Sequence, residues 1–327
     1  MTRPWHLVAD IGGTNARYGV ICAESGNLDQ VCLHSVAQYP NFHDSLSHFL
    51  TEIRAQATYA VNPTHTCLGV ASVPDTDEIL FTNSSWRFTR RSVQDLLKDT
   101  HLSVINDFTA VGYAIPHLQP SDYIEIGGHG IKSHKPAIVM GPGTGLGVAS
   151  IIPSDQGTAF VVGGEGGHVD FAPVTPLEIS VLEELQKRFE RVSIERVLSG
   201  AGIVNLYQAI ALIKGRQTQF ETASEIAESA SQGSDSLAAS AMNAFFGILG
   251  STAGNLALTL GAQGGVYIAG GITPRYPNLL HNSDFRARFE AKGRYKSYLQ
   301  PIPLRVITKD HLGLLGAAHY ITLLENL

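Results

Sequence analysis

Residues 6–22 read HLVADIGGTNARYGVIC. Two apolar runs, 6–11 and 16–22, flank the turn Gly12-Gly13-Thr14-Asn15. Glycine supplies positive φ in such turns, and Asn tolerates it. The spacing predicts a β-hairpin with a polar, glycine-bearing tip. The pattern recurs downstream: AIVM at 137–140, GPGTGLG at 141–147 and VASII at 148–152. A strand–glycine turn–strand unit thus occurs twice, around Thr14 and around Thr144, without similar flanking sequence. Working outward, Phe42, Leu46, Phe49, Leu50 and Ile53 lie at helical spacing and predict a helix over 41–57. Residues 66–73, 102–107, 266–270 and 304–308 read as buried strands. Further helices are expected over 176–190, 235–260 and 313–326. This mixture predicts an α/β layer structure.

The chain has 327 residues, which favours two domains over one. Hydrophobic residues make up 44%, enough for substantial cores, and only 16% are charged. The 33 glycines are the outlier, about a tenth of the chain, against a usual share of about 7%. No Gly-X-Y period runs through them, so collagen is excluded. A net charge of -6 argues against nonspecific nucleic-acid binding. Cys22, Cys32 and Cys67 are odd in number and lack Cys-x-x-Cys spacing, which argues against a disulfide framework or a zinc ribbon. No signal segment is read at the N-terminus, and no 18-residue apolar stretch is read as a membrane span. A cytoplasmic protein is therefore expected.

Six motifs concentrate chemistry. Asp10 ends a strand just before Gly12-Gly13-Thr14, whose bare backbone N–H groups suit a phosphate; Asp10 stands where a hydrated Mg²⁺ could be held. Gly141-Pro-Gly-Thr-Gly-Leu-Gly147 permits close backbone approach to a ligand, yet it fits neither the Walker A nor the G-x-G-x-x-G pattern. Asn106-Asp107 leaves the end of a strand, where α/β sites lie, and reads either as an orienting amide with a proton acceptor or as a helix cap. Gly163-Gly-Glu165-Gly-Gly-His168 offers an acid and an imidazole to one polar ligand, or forms a capping turn. Glu195 begins a short helical stretch, where an acid complementing the helix dipole is the plain reading. Gly264-Gly-Val-Tyr-Ile-Ala-Gly-Gly271 either admits a flat ring or marks a close helix–strand crossing. No G-x-S-x-G elbow is present, so covalent acyl transfer is disfavoured.

Taken in succession, DIGGTNAR, INDFTAV (105–111), GPGTGLGVA (141–149), GGEGGHVDF (163–171), ERVLSGAG (195–202) and GGVYIAGGI (264–272) resemble bacterial glucokinase of the hexokinase type, in the actin-like sugar kinase superfamily. The resemblance extends to FRARFEAKGRY (285–295) and GLLGAAHY (313–320). It implies two actin-like (ribonuclease H-like) α/β domains flanking a cleft that closes on sugar. One would comprise 1–115 plus about 305–327, the other 116–304. It implies ATP-dependent phosphorylation of the glucose 6-hydroxyl, the entry step of glycolysis, by a homodimer with no nucleic-acid or membrane partner. By the same resemblance, Asp107 is the catalytic base and Asn106, Asp107, Glu165, His168 and Glu195 hold the sugar. Gly12, Gly13, Thr14, Asn15, Gly143 and Thr144 take the phosphates of ATP, Gly270 and Gly271 its adenosine, and Asp10 serves Mg²⁺ through water. Ala201 stands where many members have proline. No cysteine follows Cys67, unlike the related repressor, kinase and open-reading-frame group with its cysteine-rich zinc motif. A sugar-sensing regulator would need an added DNA-binding or partner domain; with the first strand starting near residue 6, no N-terminal helix-turn-helix is expected.

Overall fold

The computed structural model describes residues 2–81, 84–98, 100–155 and 157–326. The first predicted hairpin is β1 (Trp5–Ile11) and β2 (Asn15–Cys22), antiparallel with Ile11 opposite Ala16. The chain continues through β3 (Leu28–Ser35), α1 (Phe42–Arg54), β4 (His65–Val70), β5 (Glu78–Leu80), β6 (Arg87–Thr89), α2 (Arg90–Leu97), β7 (His101–Asn106) and α3 (Asp107–Ala114). The expected helix over 41–57 is shorter at both ends: Asn41 caps it by accepting the Asp44 N–H at 2.9 Å, and its last helical residue is Arg54. The main sheet has the order β3-β2-β1-β4-β7, with β1, β4 and β7 parallel.

Both faces of this sheet are covered, which is why β1 reads as an almost unbroken apolar run. Leu7, Ala9 and Ile11 face a core with Phe42, Phe49, Trp86 and Phe88, while Val8 faces the opposite side with Ala110 and Leu314. That second face is closed by α3 and the C-terminal helix Leu312–Glu325. The two helices approach so closely that a Cβ on Gly316 would overlap the Ala110 carbonyl oxygen. On its other side α3 rests on β4, where a Cβ on Gly69 would come within 3.4 Å of the Ala110 Cβ and 3.7 Å of the Asp107 Cα. Two missing side chains thus set the height of the helix that begins with Asp107.

The segment 118–309 forms a separate compact unit; 1–117 and 310–327 form the other. Its strands are β8 (Tyr123–Glu125), β9 (Ala137–Pro142), β10 (Leu146–Pro153), β11 (Ala159–Gly164), β12 (Val266–Ile268) and β13 (Leu304–Ile307), ordered β11-β10-β9-β12-β13-β8. Its helices include α4 (Pro176–Gln186), α5 (Gly200–Ile213), α6 (Ala223–Gln232) and α7 (Ser236–Leu260). The plan of the first sheet recurs: a three-strand antiparallel meander, β9-β10-β11, then two parallel strands, β12 and β13, with β8 added at the edge. The two predicted glycine turns occupy the same place in each meander. The duplication is therefore one of topology, carried by the turns.

One expectation is corrected. Helix α7 is, among the described residues, long and apolar enough to cross a membrane, although no such stretch was read in the sequence. Its apolar window is 72% buried inside the fold. It packs against α5, α6 and the helix Phe285–Glu290, so it serves as a core helix. A Cβ on Gly254 would come within 2.6 Å of the Phe289 carbonyl oxygen.

His117 and His319 stack with ring centroids 3.5 Å apart. Burial, then the charge of His117, pushes His319 down to about 4. An unfolded histidine titrates near 6.5. Between those values the unfolded chain holds more protons than the folded one, so acid favours unfolding there. The melting temperature should therefore fall between about pH 7 and about pH 4, and His319→Gln should flatten that fall. An unchanged slope in the variant would reject this origin.

Candidate active site

In the first unit the sites gather at one sheet end. Asp10 lies opposite Gly69, and Val70 lies opposite Asn106, so Asp10 and Asn106 both emerge at the C-terminal end of the parallel strands. The Gly12 N–H closes the adjoining turn on the Asn15 carbonyl at 2.9 Å, and the Val36 N–H holds the Thr14 carbonyl at 2.9 Å. Burial pushes the Asp10 carboxyl up, while Arg17, 3.5 Å away, and the more distant His311 pull it down. With the side chain still 29% exposed, water tempers the burial effect.

Asn106 caps α3: its side-chain oxygen accepts the N–H groups of Phe108 and Thr109 at 2.9 and 3.1 Å. This is the cap alternative left open by the sequence. It fixes the side chain and leaves the amide N–H₂ as the group it can offer a ligand. Asp107 opens α3, and its carboxylate accepts the Phe108 N–H at 2.8 Å. An acid there faces the positive end of the helix dipole.

In the second unit the candidate residues surround Leu146. The Leu146 N–H donates to Glu195 Oε2 at 2.8 Å. Glu195 does stand in the first turn of the short helix Ile194–Arg196, and its carboxylate also reaches a partner 49 positions back on β10. A Cβ on Gly145 would overlap the same carboxylate, and the Gly200 N–H ties the Gly143 carbonyl at 2.8 Å. Gly167 lies so near Leu146 that its Cβ would meet the Leu146 carbonyl, which places the Glu165–His168 turn on the same strand. Glu165 and His168 are exposed, with Oε2 and Nε2 4.0 Å apart. Gly270, at φ +87°, leaves no space for a Cβ beside the Pro142 carbonyl, whereas Gly271 and Gly143 face open space. The crossing at Gly270 is thus with the end of β9, and no helix is involved.

The role expected of the turn glycines also changes. The positive-φ glycines among the described residues do not include Gly12, Gly13, Gly143 or Gly145. Gly143 faces open space, and Gly145 leaves room for the Glu195 carboxylate.

A family model described as glucokinase matches residues 7–324. A glucokinase from Tolumonas auensis is 42% identical over 315 residues, covering 96% of this chain and 96% of that protein. The chain belongs to the glucokinase family. A glucokinase structure from an Antarctic psychrotroph has a TM-score of 0.84 at 35% identity, covering 97% of this chain and 98% of that one. A ROK family glucokinase from Streptomyces griseus, solved with glucose and AMPPNP, has a TM-score of 0.65 at 20% identity and 97% and 98% coverage; it shares the fold. Together with the repeated sheet plan, these likenesses establish the actin-like α/β fold.

Some positioning residues of this glucokinase-family chain escaped sequence reading. A Cβ on Gly313, at the start of the C-terminal helix, would press on the Asp10 carboxylate at 3.1–3.3 Å. Arg17 lies on β2 opposite Asp10. The i, i+7 spacing across a hairpin was the signal for Arg17; nothing local signals Gly313.

The glycine geometry gives a paired prediction. Gly270→Ala should destabilise the protein by about 1–3 kcal/mol through strained φ and the Pro142 contact. Gly271→Ala should stay within about 0.5 kcal/mol of the parent. Denaturant melts of both variants check this, and equal losses would refute the assignment of roles.

Proposed function

We propose that the protein transfers the γ-phosphoryl group of ATP to the 6-hydroxyl of glucose, yielding glucose 6-phosphate for glycolysis, with Asp107 as the general base. The observation that carries this reading is the Asn106–Asp107 pair, fixed at the C-terminal end of β7 in a chain of the glucokinase family. The glucose and AMPPNP in the Streptomyces griseus structure support the choice of acceptor and donor.

Asp107 need not be a strong base, because phosphoryl transfer runs through a loose transition state, in which the hydroxyl proton leaves late. Catalysis then rests on positioning and on charge stabilisation. Asn106 would offer its amide to a sugar hydroxyl. Glu165, His168 and the Glu195 oxygen not engaged by Leu146 would pair the remaining hydroxyls. A site of paired donors and acceptors discriminates against an analogue lacking a hydroxyl, because a polar group is then left unmatched. The turns carrying Gly12, Gly13, Thr14 and Asn15 and carrying Gly143 and Thr144 would receive phosphates, and Gly270 with Gly271 the nucleoside.

Asp10 fits the role of holding Mg²⁺ through water. It provides a hard oxygen donor, and Arg17 engages only Oδ2. One carboxylate plus substrate phosphates is a common donor set for this cation. When bound, Mg²⁺ would neutralise phosphate charge. Gly313 leaves room for the carboxylate, which an added Cβ would crowd, so Gly313→Ala should raise the Mg²⁺ concentration needed for half-maximal rate while leaving glucose affinity unchanged. A parallel loss of glucose affinity would point to wider damage.

Asp107→Asn should bind glucose normally and lose about 100- to 10,000-fold in kcat. Near-normal turnover would sink the base assignment. In a coupled assay across glucose, mannose, fructose and a hexosamine, with ATP or polyphosphate, glucose with ATP should give the highest kcat/KM. Failure with every hexose would favour a sensing protein on the same fold. The homodimer implied by the family resemblance is rejected if light scattering returns the mass of one chain.

A further inference from the structure

The edge of the first unit's sheet carries a cluster that phosphoryl transfer does not use. Cys32 and His34 stand two apart on β3, hence on one face of the strand. His48 and Glu52 stand four apart on α1, hence on one face of the helix. The two faces meet. Donor atoms of Cys32, His34 and Glu52 all lie within 4.8 Å of one another. Cys32 Sγ is 3.7 Å from Glu52 Oε2, and His48 Nε2 is 3.2 Å from Glu52 Oε1. The His34 and His48 rings are 5.5 Å apart, edge to face.

We propose that Cys32, His34, His48 and Glu52 form a zinc site that staples β3 to α1. The donor set is one thiolate, two imidazoles and one carboxylate, which matches Zn²⁺ in softness and in number. Bond lengths of about 2.0–2.3 Å place tetrahedral donors about 3.3–3.8 Å apart. The Cys32–Glu52 pair already has that spacing, and the exposed His48 and Glu52 side chains can adjust to it. Two anionic ligands balance the dication.

An outer shell is also present. His34 is buried, and its Nδ1 lies 2.9 Å from Ser45 Oγ. The same hydroxyl lies 2.9 Å from the Tyr18 hydroxyl. With Nδ1–H donating to Ser45, and Ser45 donating onward to Tyr18, the lone pair of Nε2 is left for the cation. Tyr39 stacks on the His34 ring at 4.7 Å and restrains its rotation. A second grouping in the same unit, His6, His65 and Glu325, has no thiolate and is the weaker set.

The consequence reaches the phosphate turn. His34 pairs with Ala16, and two residues on the Val36 N–H holds the Thr14 carbonyl. A cation on β3 therefore stiffens the strand that steadies this turn.

The test is zinc competition against a chromogenic chelator, using the full chain. About one equivalent of Zn²⁺ should bind and raise the melting temperature. It should also protect Cys32 from alkylation; Cys22 and Cys67 are buried. Cys32→Ser should weaken binding by more than the roughly 10- to 100-fold typical of losing an outer-shell partner. His48→Gln, an exposed substitution, should also weaken it and guards against a Cys32 variant that fails to fold. Absence of stoichiometric uptake overturns the proposal. So does uptake unchanged in both variants, or uptake abolished by His65→Gln instead.

Discussion

The hydrogen bond from the Leu146 N–H to Glu195 organises the second unit. It joins three segments far apart in sequence: the glycine turn before β10, the Gly166–His168 turn lying on Leu146, and the short helix Ile194–Arg196. A backbone donor at the start of a strand must be paired or solvated. Here a carboxylate meets it at 2.8 Å, a charge-assisted contact stronger than a neutral one. The bond also fixes which oxygen of Glu195 stays available. Gly145 must be glycine for the carboxylate to come this close.

The first unit solves the same problem differently. Its acids sit at strand ends, and helix packing sets their positions. Gly69 and Gly316 let α3 settle between the sheet and the C-terminal helix, and Gly313 lets that helix close over Asp10. Each glycine removes a methyl-sized obstacle at an approach of 3.4 Å or less. The glycine surplus thus has two uses. At the tip of the second unit's turn it leaves open space at Gly143 and room for the Glu195 carboxylate at Gly145. Between elements it sets the height of helices that carry acids.

This division explains what was legible in the sequence. Both hairpins were readable because their turn residues and apolar runs are contiguous, and strand β7 with its Asn106–Asp107 exit was readable for the same reason. β3 was not, because LDQVCLHS is a half-exposed edge strand without clean alternation. β11 was missed likewise, since AFVVGG exposes Phe160 and Val162. The local reading placed Glu195 in a helical first turn, as found, but could not show its tie to Leu146, which is distant in the chain. In the first turn the expected positive φ is absent at Gly12 and Gly13.

The duplication of topology bears on why one fold accommodates two chemistries. In both meanders a turn with bare backbone joins the first two strands, and a parallel strand follows on the other side of the first. The copies differ in what stands beside the turn. In the first unit it is a strand-ending acid, Asp10, with Arg17 across the hairpin. At the corresponding end of β9 the pairs are Gly141 with Gly147 and Pro142 with Leu146, none of them ionisable. The ionisable partner in the second unit, Glu195, is brought in from outside the sheet. A charge built into a strand is held at a fixed place by the sheet. A charge borrowed from a separate turn is held by one contact, so only one of its oxygens is committed to the fold.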